Sequence, residues 1–426
     1  MTIELLAAAA TGGFDVEAAT RAYLDTLQGA ARERSDAYFE GGYWLLLWGA
    51  LVSVGSAWAM LRFGWSAAWS RWAGGVTGRR WLQPALYAVP YTIVSTLIVL
   101  PWSIYTGWYR EKQYGLMNLG LGGWLAEQAT ALAIGIVTGA VLLTVVFAVI
   151  RKAPRSWWLW ASGTVIAFLA VMLLLAPVFV SPLFNEYKPM PEGPLRDQII
   201  AMARAHDVPA ENIYVFNQSK QHNRISANVS GLGPTIRISL NDNLLNRSAP
   251  EEVKAVMGHE LGHYVLGHIW RLVGGFALVL LLGFFLLWWA SPRLLARFGE
   301  RWGVREVSDP AALPLLSAVF AIYMLALTPA LKSLVRSQES QADAFGLDVA
   351  REPDGFASVA MKLSEYRKIE PSALEEAIFF DHPSGRTRVR AAMKWKARHL
   401  GELPPGKRAP VSPPPAPPTA GSSEGR

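Results

Sequence analysis

The sequence predicts a mainly α-helical, multi-span membrane bundle of about six spans, with a small α+β domain inserted between them. Apolar residues make up 52% of the 426 residues, a high share for a soluble protein. Six stretches approach the roughly 20 apolar residues that a helix needs to cross a bilayer. A polar insert with mixed helix and strand patterns separates the fourth stretch from the fifth.

A single apolar stretch can also be a buried core helix, but six in one chain favour a bilayer. The 18 tryptophans agree with this, because indole rings concentrate at membrane interfaces. Prolines at positions 84, 90 and 101 predict kinks in the second span. The candidate spans are Tyr43–Leu61, Leu82–Tyr105, Leu125–Ile150, Trp157–Val180, Trp270–Ala290 and Ala311–Leu334.

The composition limits the chemistry and the partners of the chain. There is no cysteine, so disulfides, cysteine nucleophiles and thiolate metal sites are excluded. The net charge of +7 is modest and spread along the chain. We interpret it as charge that flanks the spans, so the expected partner is a lipid bilayer and not a nucleic acid.

The polar insert contains recognisable local patterns. "PLRDQIIAMARAHDV" predicts an amphipathic helix, "NIYVF" a short strand, and "RISANVSGLGPTIRISL" a β-hairpin. "SAPEEVKAVMGHELGHYVLGH" then opens a helix, for which Ser248 and Glu251 fit a capping box. We expect six divisions: a polar N-terminal segment (1–40), spans one to four (41–181), the insert (182–269), spans five and six (270–335), a C-terminal helical part (336–400) and a disordered Pro-rich tail (401–426).

The stretch "HELGHYVLGH" indicates a metal site. His259 and His263 are four residues apart, so a helix places both rings on one face, where they can share an ion. Glu260 is adjacent and can reach a metal-activated water. Two neutral imidazoles that hold Zn²⁺ and a carboxylate that takes the proton of water require this spacing.

His268 is excluded as a further ligand on the assumption of one straight helix. It follows His259 by nine residues, which at about 100° per residue puts it on the opposite face. We expect it to be a polar residue near the membrane boundary.

A catalytic zinc usually has three protein ligands, so a third is needed. "VRSQESQADAF" places Glu339 and Asp343 four residues apart on one helical face. Glu339 can be the third ligand, and Asp343 can accept the outer ring N–H of a ligating histidine. The alternative is an ordinary charged face on which Arg336 pairs with Glu339. The incomplete site favours the ligand interpretation.

Two further motifs leave alternatives open. In "DHPSGRTRV", His382 can be structural or can stabilise an oxyanion, and Arg388 can do the same or pair with a carboxylate. In the hairpin, Asn228 can bond a substrate backbone that docks by strand addition, or it can be a solvated surface residue.

"HELGHYVLGH", "ESQAD" and "HPSGRTRV" occur in the order typical of integral-membrane gluzincins. The chain resembles the type I CAAX prenyl endopeptidase family more closely than the heat-shock protease HtpX. "LPWSIYTGWYREKQYGLMN", "APVFVSPLFNEYKPMPEGPLRDQI" and "SANVSGLGPTIRISLNDNLL" also look like segments of that family. The resemblance extends over roughly Glu40–Ala397, most of the chain.

The resemblance implies a helical bundle around a water-filled chamber, with a small α+β zinc metalloprotease domain and one Zn²⁺ per chain. By this resemblance, the zinc ligands are His259, His263 and Glu339, and the general base is Glu260. Asp343 is the partner of a zinc-bound histidine, and His382 and Arg388 lie near the substrate and the transition state. The strand that contains Asn228 aligns the substrate.

The predicted activity is zinc-dependent hydrolysis of peptide bonds, with Glu260 as general base. The substrate is a peptide or protein, either prenylated as in CAAX processing or membrane-inserted as in HtpX-like quality control. The Ala/Arg/Gly-rich composition has a bacterial character, and it favours broad cleavage over dedicated CAAX processing. A different class, a non-catalytic transporter or scaffold with this fold, is the remaining alternative.

The bacterial character of the composition predicts a multi-pass protein of the bacterial inner membrane, and the resemblance implies a catalytic domain on the cytoplasmic side. The distribution of positive charge favours the opposite orientation by a small margin. The basic residues that favour this opposite orientation lie in the short loops on the side of the membrane away from the catalytic domain: Arg71, Arg79, Arg80, Arg151, Lys152, Arg155, Arg293, Arg297 and Arg301. We follow the resemblance.

Overall fold

A computed structural model describes residues 14–209, 212–231 and 236–408. The chain divides into two compact units. One contains the residues up to Tyr43, Asn185–Ile269 and the residues from Pro329 onward; the other contains Trp44–Phe184 and Trp270–Thr328. Most of the predicted Pro-rich tail lies outside the described residues, as do the first 13 residues of the predicted N-terminal segment.

The described residues are mainly helical. In chain order the helices are α1 Val16–Leu24, α2 Gly29–Arg62, α3 Trp65–Val76, α4 Gln83–Ile104, α5 Arg110–Gln113, α6 Leu121–Lys152, α7 Trp157–Leu175, α8 Ser181–Phe184, α9 Pro194–Arg204, α10 Asp242–Arg247, α11 Pro250–Val265, α12 His268–Trp302, α13 Leu313–Ala350, α14 Pro353–Leu363, α15 Ala373–Phe379, α16 Gly385–Arg398 and α17 Pro405–Arg408.

Six helical segments of the described chain are long and apolar enough to cross a bilayer. Each predicted span falls on one of them, so the prediction of a helical membrane bundle is confirmed. The segments are Gly29–Arg62, Gln83–Gln113, Leu121–Lys152, Trp157–Phe184, His268–Trp302 and Pro310–Ala350.

Two of the three prolines of the second span lie inside its helix. Pro90 and Pro101 lie inside α4, where each lacks the N–H of a regular helical hydrogen bond. A π-helical turn, Tyr105–Tyr109, follows Pro101. Pro84 lies in the first turn of α4, where a missing N–H has no cost. The departure from α-helical geometry at Tyr105–Tyr109 thus lies in the second half of the span.

The insert contains a four-stranded sheet. Its strands are β1 Tyr187–Pro189, β2 Ile213–Phe216, β3 Ala227–Ser230 and β4 Arg237–Asn241, in the order β1-β2-β4-β3. β2 pairs with β4 in parallel, and the other two pairs are antiparallel. β3 and β4 are the predicted hairpin, and β3 lies at the edge of the sheet. Apolar side chains of this sheet share a buried cluster with α9 and α11, which fixes the sheet beside the HExxH helix.

The N-terminal helix packs against the C-terminal helices of the same unit. Tyr23 and Leu24 of α1 are buried in a cluster with Phe356 of α14 and Val389 of α16. The hydroxyl of Tyr23 donates to Asp354 over 3.0 Å. The polar composition of α1 therefore reflects its outer face, and its apolar face belongs to the core of this unit.

The start of α11 differs from the predicted capping box. The helix begins at Pro250 with Ala249 as its N-cap, and Glu252 accepts from the N–H of Ala249 over 2.7 Å. Ser248 lies outside the helix, and its hydroxyl is buried without a hydrogen-bond partner among the described residues. The glutamate one position later occupies the N3 position, because Pro250 fills the first helical position.

The helix that carries the HExxH motif ends sooner than predicted. α11 stops at Val265, Gly267 has a positive φ of 65°, and α12 begins at His268. Glycine allows this left-handed conformation without a Cβ penalty. His268 is therefore not on the far side of a straight helix, and the face assigned to it from sequence is wrong.

α11 and α13 approach each other through glycines. A Cβ on Gly346 would lie 2.8 Å from the backbone nitrogen of His259, and one on Gly258 would lie 2.9 Å from the carbonyl oxygen of Gly346. Such distances are shorter than van der Waals contact. The close approach places Asp343 and Glu339, which precede Gly346 on α13, beside the histidines of α11.

We therefore expect Gly346→Ala to lower the free energy of unfolding by about 1–3 kcal/mol, because the new methyl group overpacks a contact between two backbones. The matched control is Gly274→Ala in α12, where a Cβ meets nothing within 4 Å. Thermal unfolding of both variants in detergent is the measurement. Equal melting temperatures for Gly346→Ala and wild type would contradict the packing argument.

Candidate metal centre

The two histidines of the HExxH motif face each other on α11. Their Nε2 atoms are 3.1 Å apart, and the His259 ring is buried while the His263 ring is half-buried. Each ring therefore has its Nδ1 atom directed away from the other. This arrangement is the one predicted from the four-residue spacing.

Glu339 of α13 completes a three-residue cluster with His259 and His263. Its Oε2 atom is 3.2 Å from Nε2 of His259, and its Oε1 atom is 3.5 Å from Nε2 of His263. One ligand atom from each of the three residues lies within 4.8 Å of the others. The structure thus brings the predicted ligand set together.

The cluster has the properties of a cation site. Oε2 of Glu339 is buried and has no hydrogen bond of acceptable geometry, although the Nε2 atoms of His259 and His382 are each 3.2 Å away. Burial alone would lower the pKa of His259, yet the carboxylates of Asp343 and Glu339 beside its ring raise this pKa to about 10. The pocket therefore attracts positive charge, and two imidazoles with a carboxylate are donors that suit Zn²⁺.

Asp343 holds the first histidine from behind. Its Oδ1 atom is 2.8 Å from Nδ1 of His259, and the carboxylate is buried. Arg388 of α16 donates to both carboxylate oxygens, through Nε over 3.0 Å and through a terminal nitrogen over 2.6 Å. Of the two alternatives for Arg388, the structure has the pairing with a carboxylate.

His268 supports the second histidine, a contact that the straight-helix prediction excluded. The break at Gly267 turns its ring back, so that its Nδ1 lies 3.0 Å from Nδ1 of His263. Its Nε2 is 3.4 Å from the side-chain oxygen of Gln341, which lies on α13 between Glu339 and Asp343. His268 is buried, with only 1% of its surface exposed. It contacts the outer nitrogen of His263, in agreement with its exclusion as a direct ligand.

His382 approaches the cluster from the opposite side. Its Nε2 is 3.2 Å from Oε2 of Glu339, and its Nδ1 is 2.8 Å from Asp381. Lys332 pairs with the other oxygen of Asp381 over 2.6 Å. Burial lowers the pKa of His382 despite the contact with Asp381. The ring thus lies between two carboxylates, with Nδ1 toward Asp381 and Nε2 toward Glu339.

Arg336 does not pair with Glu339, which was the alternative to the ligand interpretation. It donates to the backbone carbonyls of Glu376 and Phe380 over 2.6 and 2.5 Å. These bonds connect α13 to the end of α15, just before the segment that carries His382. Arg336 therefore leaves the carboxylate of Glu339 to the histidines.

Glu260 opens onto a cavity of about 150 Å³ next to the cluster. Burial raises the pKa of its carboxyl group. A raised pKa suits a general base, because proton transfer is most efficient when the pKa of the base lies near the working pH. The cavity is lined by the end of the hairpin, by α11 and by the C-terminal helices; among its residues are Ser226, Ala227, His259, Arg367, His382 and Arg388.

The strand of Asn228 contributes to the cavity, but Asn228 does not line it. Ala227 lines the cavity, and Val229 shares its face of the sheet because alternate residues of a strand point the same way. Asn228 is exposed and opposes Ser239 of β4. A substrate role for its side chain stays a prediction, while the edge position of β3 leaves the strand itself available for backbone pairing.

Several residues of the site have no signal in the sequence. Asp381, Gln341 and Lys332 act on the histidines through contacts between distant segments. Arg367 lines the cavity from the segment between α14 and α15. The acidic residue before His382 was within the quoted motif, but a basic partner 49 positions away has no local signature.

Comparisons with known proteins agree with this geometry. The model of peptidase family M48 matches residues 189–396, and the model described as "CAAX prenyl protease N-terminal, five membrane helices" matches residues 20–186. Together the two matches extend over most of the chain. The M48 match contains every residue of the cluster described above.

Individual proteins are similar over long segments. An uncharacterized metalloprotease of Bacillus subtilis, YhfN, is 27% identical over 326 residues, 76% of each chain. CAAX prenyl protease 1 of Saccharomyces cerevisiae is 31% identical over 183 residues, 42% of this chain and 40% of the yeast protein. The crystal structure of S. mikatae Ste24p shares the fold, with a TM-score of 0.74 at 21% identity over 86% of this chain and 90% of that one.

The resemblance stated from sequence is thereby confirmed. The match favours a hydrolase over the transporter or scaffold alternative, and the six candidate spans make the protein an integral membrane one. The chain is a membrane-embedded metallopeptidase of family M48.

Proposed function

We propose that the protein is a zinc endopeptidase in which His259, His263 and Glu339 hold one Zn²⁺ and Glu260 is the general base. The observation that carries the proposal is the convergence of two Nε2 atoms and a buried carboxylate beside a cavity that contains Glu260. Zn²⁺ bound there would lower the pKa of a water molecule and polarise a peptide carbonyl.

The side chains of the cavity supply the proton transfers. Glu260 accepts a proton from the attacking water and returns it to the leaving amine. Its raised pKa keeps both transfers close in energy. His382, held by Asp381, directs Nε2 toward the same space and is the candidate donor to the developing oxyanion.

Arg388 acts in this proposal as a positioning residue. Both of its contacts with Asp343 are short, and the pair is buried, so the guanidinium fixes the carboxylate that orients His259. A direct interaction with the transition state, which the resemblance implies, would require Arg388 to give up one of these bonds. The pairing favours the indirect role.

The substrate we propose is a membrane-associated peptide or the C-terminal segment of a membrane-associated protein. The CAAX prenyl proteases among the relatives support C-terminal processing of prenylated chains. The alternative is HtpX-like quality control of membrane proteins. The edge strand β3 beside the cavity supports capture of an extended chain in either case.

For the location we propose a bacterial inner membrane with the catalytic unit on the cytoplasmic side. The similarity to the Bacillus subtilis metalloprotease over 76% of this chain supports a bacterial origin. The orientation follows the family resemblance. Fusions of a reporter that fluoresces only in the cytoplasm would test the orientation. We expect a fusion placed after α16 to fluoresce.

Glu260→Gln should retain zinc and lose peptide cleavage by about 10²–10⁴-fold, because the amide cannot take the proton of water. Metal content by mass spectrometry and cleavage of fluorogenic peptides are measured side by side with wild type. The paired variant His263→Ala should lose both zinc and activity. Normal cleavage by Glu260→Gln would exclude the proposed mechanism.

His268→Ala should weaken zinc binding by about 10–100-fold, the usual effect of removing the outer partner of a ligating histidine. Zinc affinity is measured by chelator competition, and the visible spectrum of the Co²⁺-substituted protein reports the ligand geometry. His399→Ala is the control, because His399 stacks on Trp395 and contacts no residue of the cluster. Identical affinity and spectra for His268→Ala and wild type would exclude the supporting role.

We expect wild-type protein to cleave both a farnesylated CAAX peptide and an unprenylated membrane-associated peptide. The rates are compared in detergent and in liposomes, with Glu260→Gln as the inactive control. Cleavage of the farnesylated peptide alone would establish a dedicated CAAX processor and overturn the broader assignment.

A further inference from the structure

Arg367 is a positive charge inside the catalytic cavity that the proposed mechanism does not use. It follows α14 in the segment that leads to α15, and it is half-buried. It lines the 150 Å³ cavity together with Glu260, His259 and His382. It also lines a smaller depression formed with Asp381 and Ser384, so the residue borders both.

Within the part of the chain that the structure describes, the guanidinium of Arg367 has no hydrogen bond and no ion pair. Its nitrogens are not among the fully buried side-chain atoms that lack a partner, so they keep some solvent exposure in a residue that lines the cavity. The neighbouring arginines differ. Arg388 is bound at both ends to Asp343, and Arg336 donates to two backbone carbonyls.

The two carboxylates that interact electrostatically with Arg367 contact other side chains. Asp381 and Glu339 both attract it. Asp381 is bonded to His382 and Lys332, and Glu339 faces the histidines of the metal cluster. They supply long-range attraction without accepting any of the five N–H groups of the guanidinium.

A purely structural arginine would not be expected to have this environment. Burial, and after it the nearby Arg388, lower the pKa of Arg367, although Tyr366, Asp381 and Glu339 act in the opposite direction. A guanidinium remains charged in proteins, so the unfavourable desolvation persists until an anion enters. The planar fork of donors matches a carboxylate, which can accept two parallel hydrogen bonds.

We propose that Arg367 is a specificity residue that binds a carboxylate of the peptide substrate beside the scissile bond. The inference rests on the proposed peptidase function and adds the substrate chemistry of one subsite. The carboxylate can be the C-terminal group of a chain that is cut near its end, or the side chain of an aspartate or glutamate. Both sources present the same two oxygens to the same fork.

Two matched peptide pairs separate these sources. The first pair is a short peptide with a free C-terminal acid and the same peptide as its C-terminal amide. The second is a longer peptide, with its C-terminus far from the scissile bond, that carries Asp or Asn near that bond. We expect wild type to prefer the carboxylate in one pair by about 10- to 100-fold in kcat/KM, the range of one charged hydrogen-bonded contact.

Arg367→Gln should abolish this preference and leave cleavage of the uncharged peptide within a few-fold of wild type, because no internal hydrogen bond is lost. Arg367→Lys should restore part of it, since the charge stays and the fork is lost. Arg398→Gln, which removes an exposed charge at the end of α16, should keep the full preference. A preference that persists in Arg367→Gln, or no preference in wild type for either pair, would overturn the proposal.

Binding to the Glu260→Gln background separates this proposal from the peptidase proposal. Fluorescence anisotropy gives the Kd of each labelled peptide with and without Arg367→Gln. If wild type cleaves no peptide, but the acid binds more tightly than the amide only when Arg367 is present, the subsite stands and the activity does not. If wild type cleaves peptides, and Arg367→Gln alters neither Kd nor kcat/KM ratios, the activity stands and the subsite is excluded.

Discussion

The carboxylate of Asp343 is the interaction on which the site depends. It accepts from Nδ1 of His259 and from two nitrogens of Arg388, and so joins α11, α13 and α16 at one buried point. A buried carboxylate is unfavourable unless it is paired, and a buried guanidinium equally so. Each therefore makes the other tolerable, and the orientation of the first histidine follows from their pairing.

The two histidines of the motif are supported by different chemistry. Behind His259 is an anion, Asp343, whose own charge is balanced by Arg388. Behind His263 are His268 and then Gln341, neither of which carries a negative charge. The anionic support makes the first ring the stronger electron donor. These two side chains contact the second ring without adding negative charge to the cluster.

The sequence predicted those features that depend on local periodicity. Four-residue spacings placed His259 with His263 and Glu339 with Asp343, and continuous apolar stretches located all six candidate spans. Both signals lie within one helix, so no knowledge of packing is needed. The pairing of β3 with β4 was predictable for the same reason, since the alternation within each strand and the Gly- and Pro-containing sequence between them are also local.

The remaining features depend on contacts between segments or on breaks in periodicity. His268 was assigned to the wrong face because a helical projection assumes an unbroken helix. The helix in fact ends at Val265, and Gly267, with a positive φ, separates it from the next helix. The partner of Arg388 was ambiguous because it lies 45 positions away. Arg367 has no motif around it, and only the cavity distinguishes it from a surface arginine. The capping residue shifted by one because a proline occupies the first helical position.

The contact between Gly258 and Gly346 has an evolutionary consequence. In most cores a larger residue on one side can be offset by a smaller residue on the other, so pairs of positions drift together while the volume is kept. Here both partners are already the smallest residue, and the nearest neighbours are backbone atoms that cannot shrink. A change at the partner glycine cannot compensate, so a larger residue at either position destabilises the contact whatever occupies the other. The two helices can diverge everywhere on their outer faces and still meet at this point.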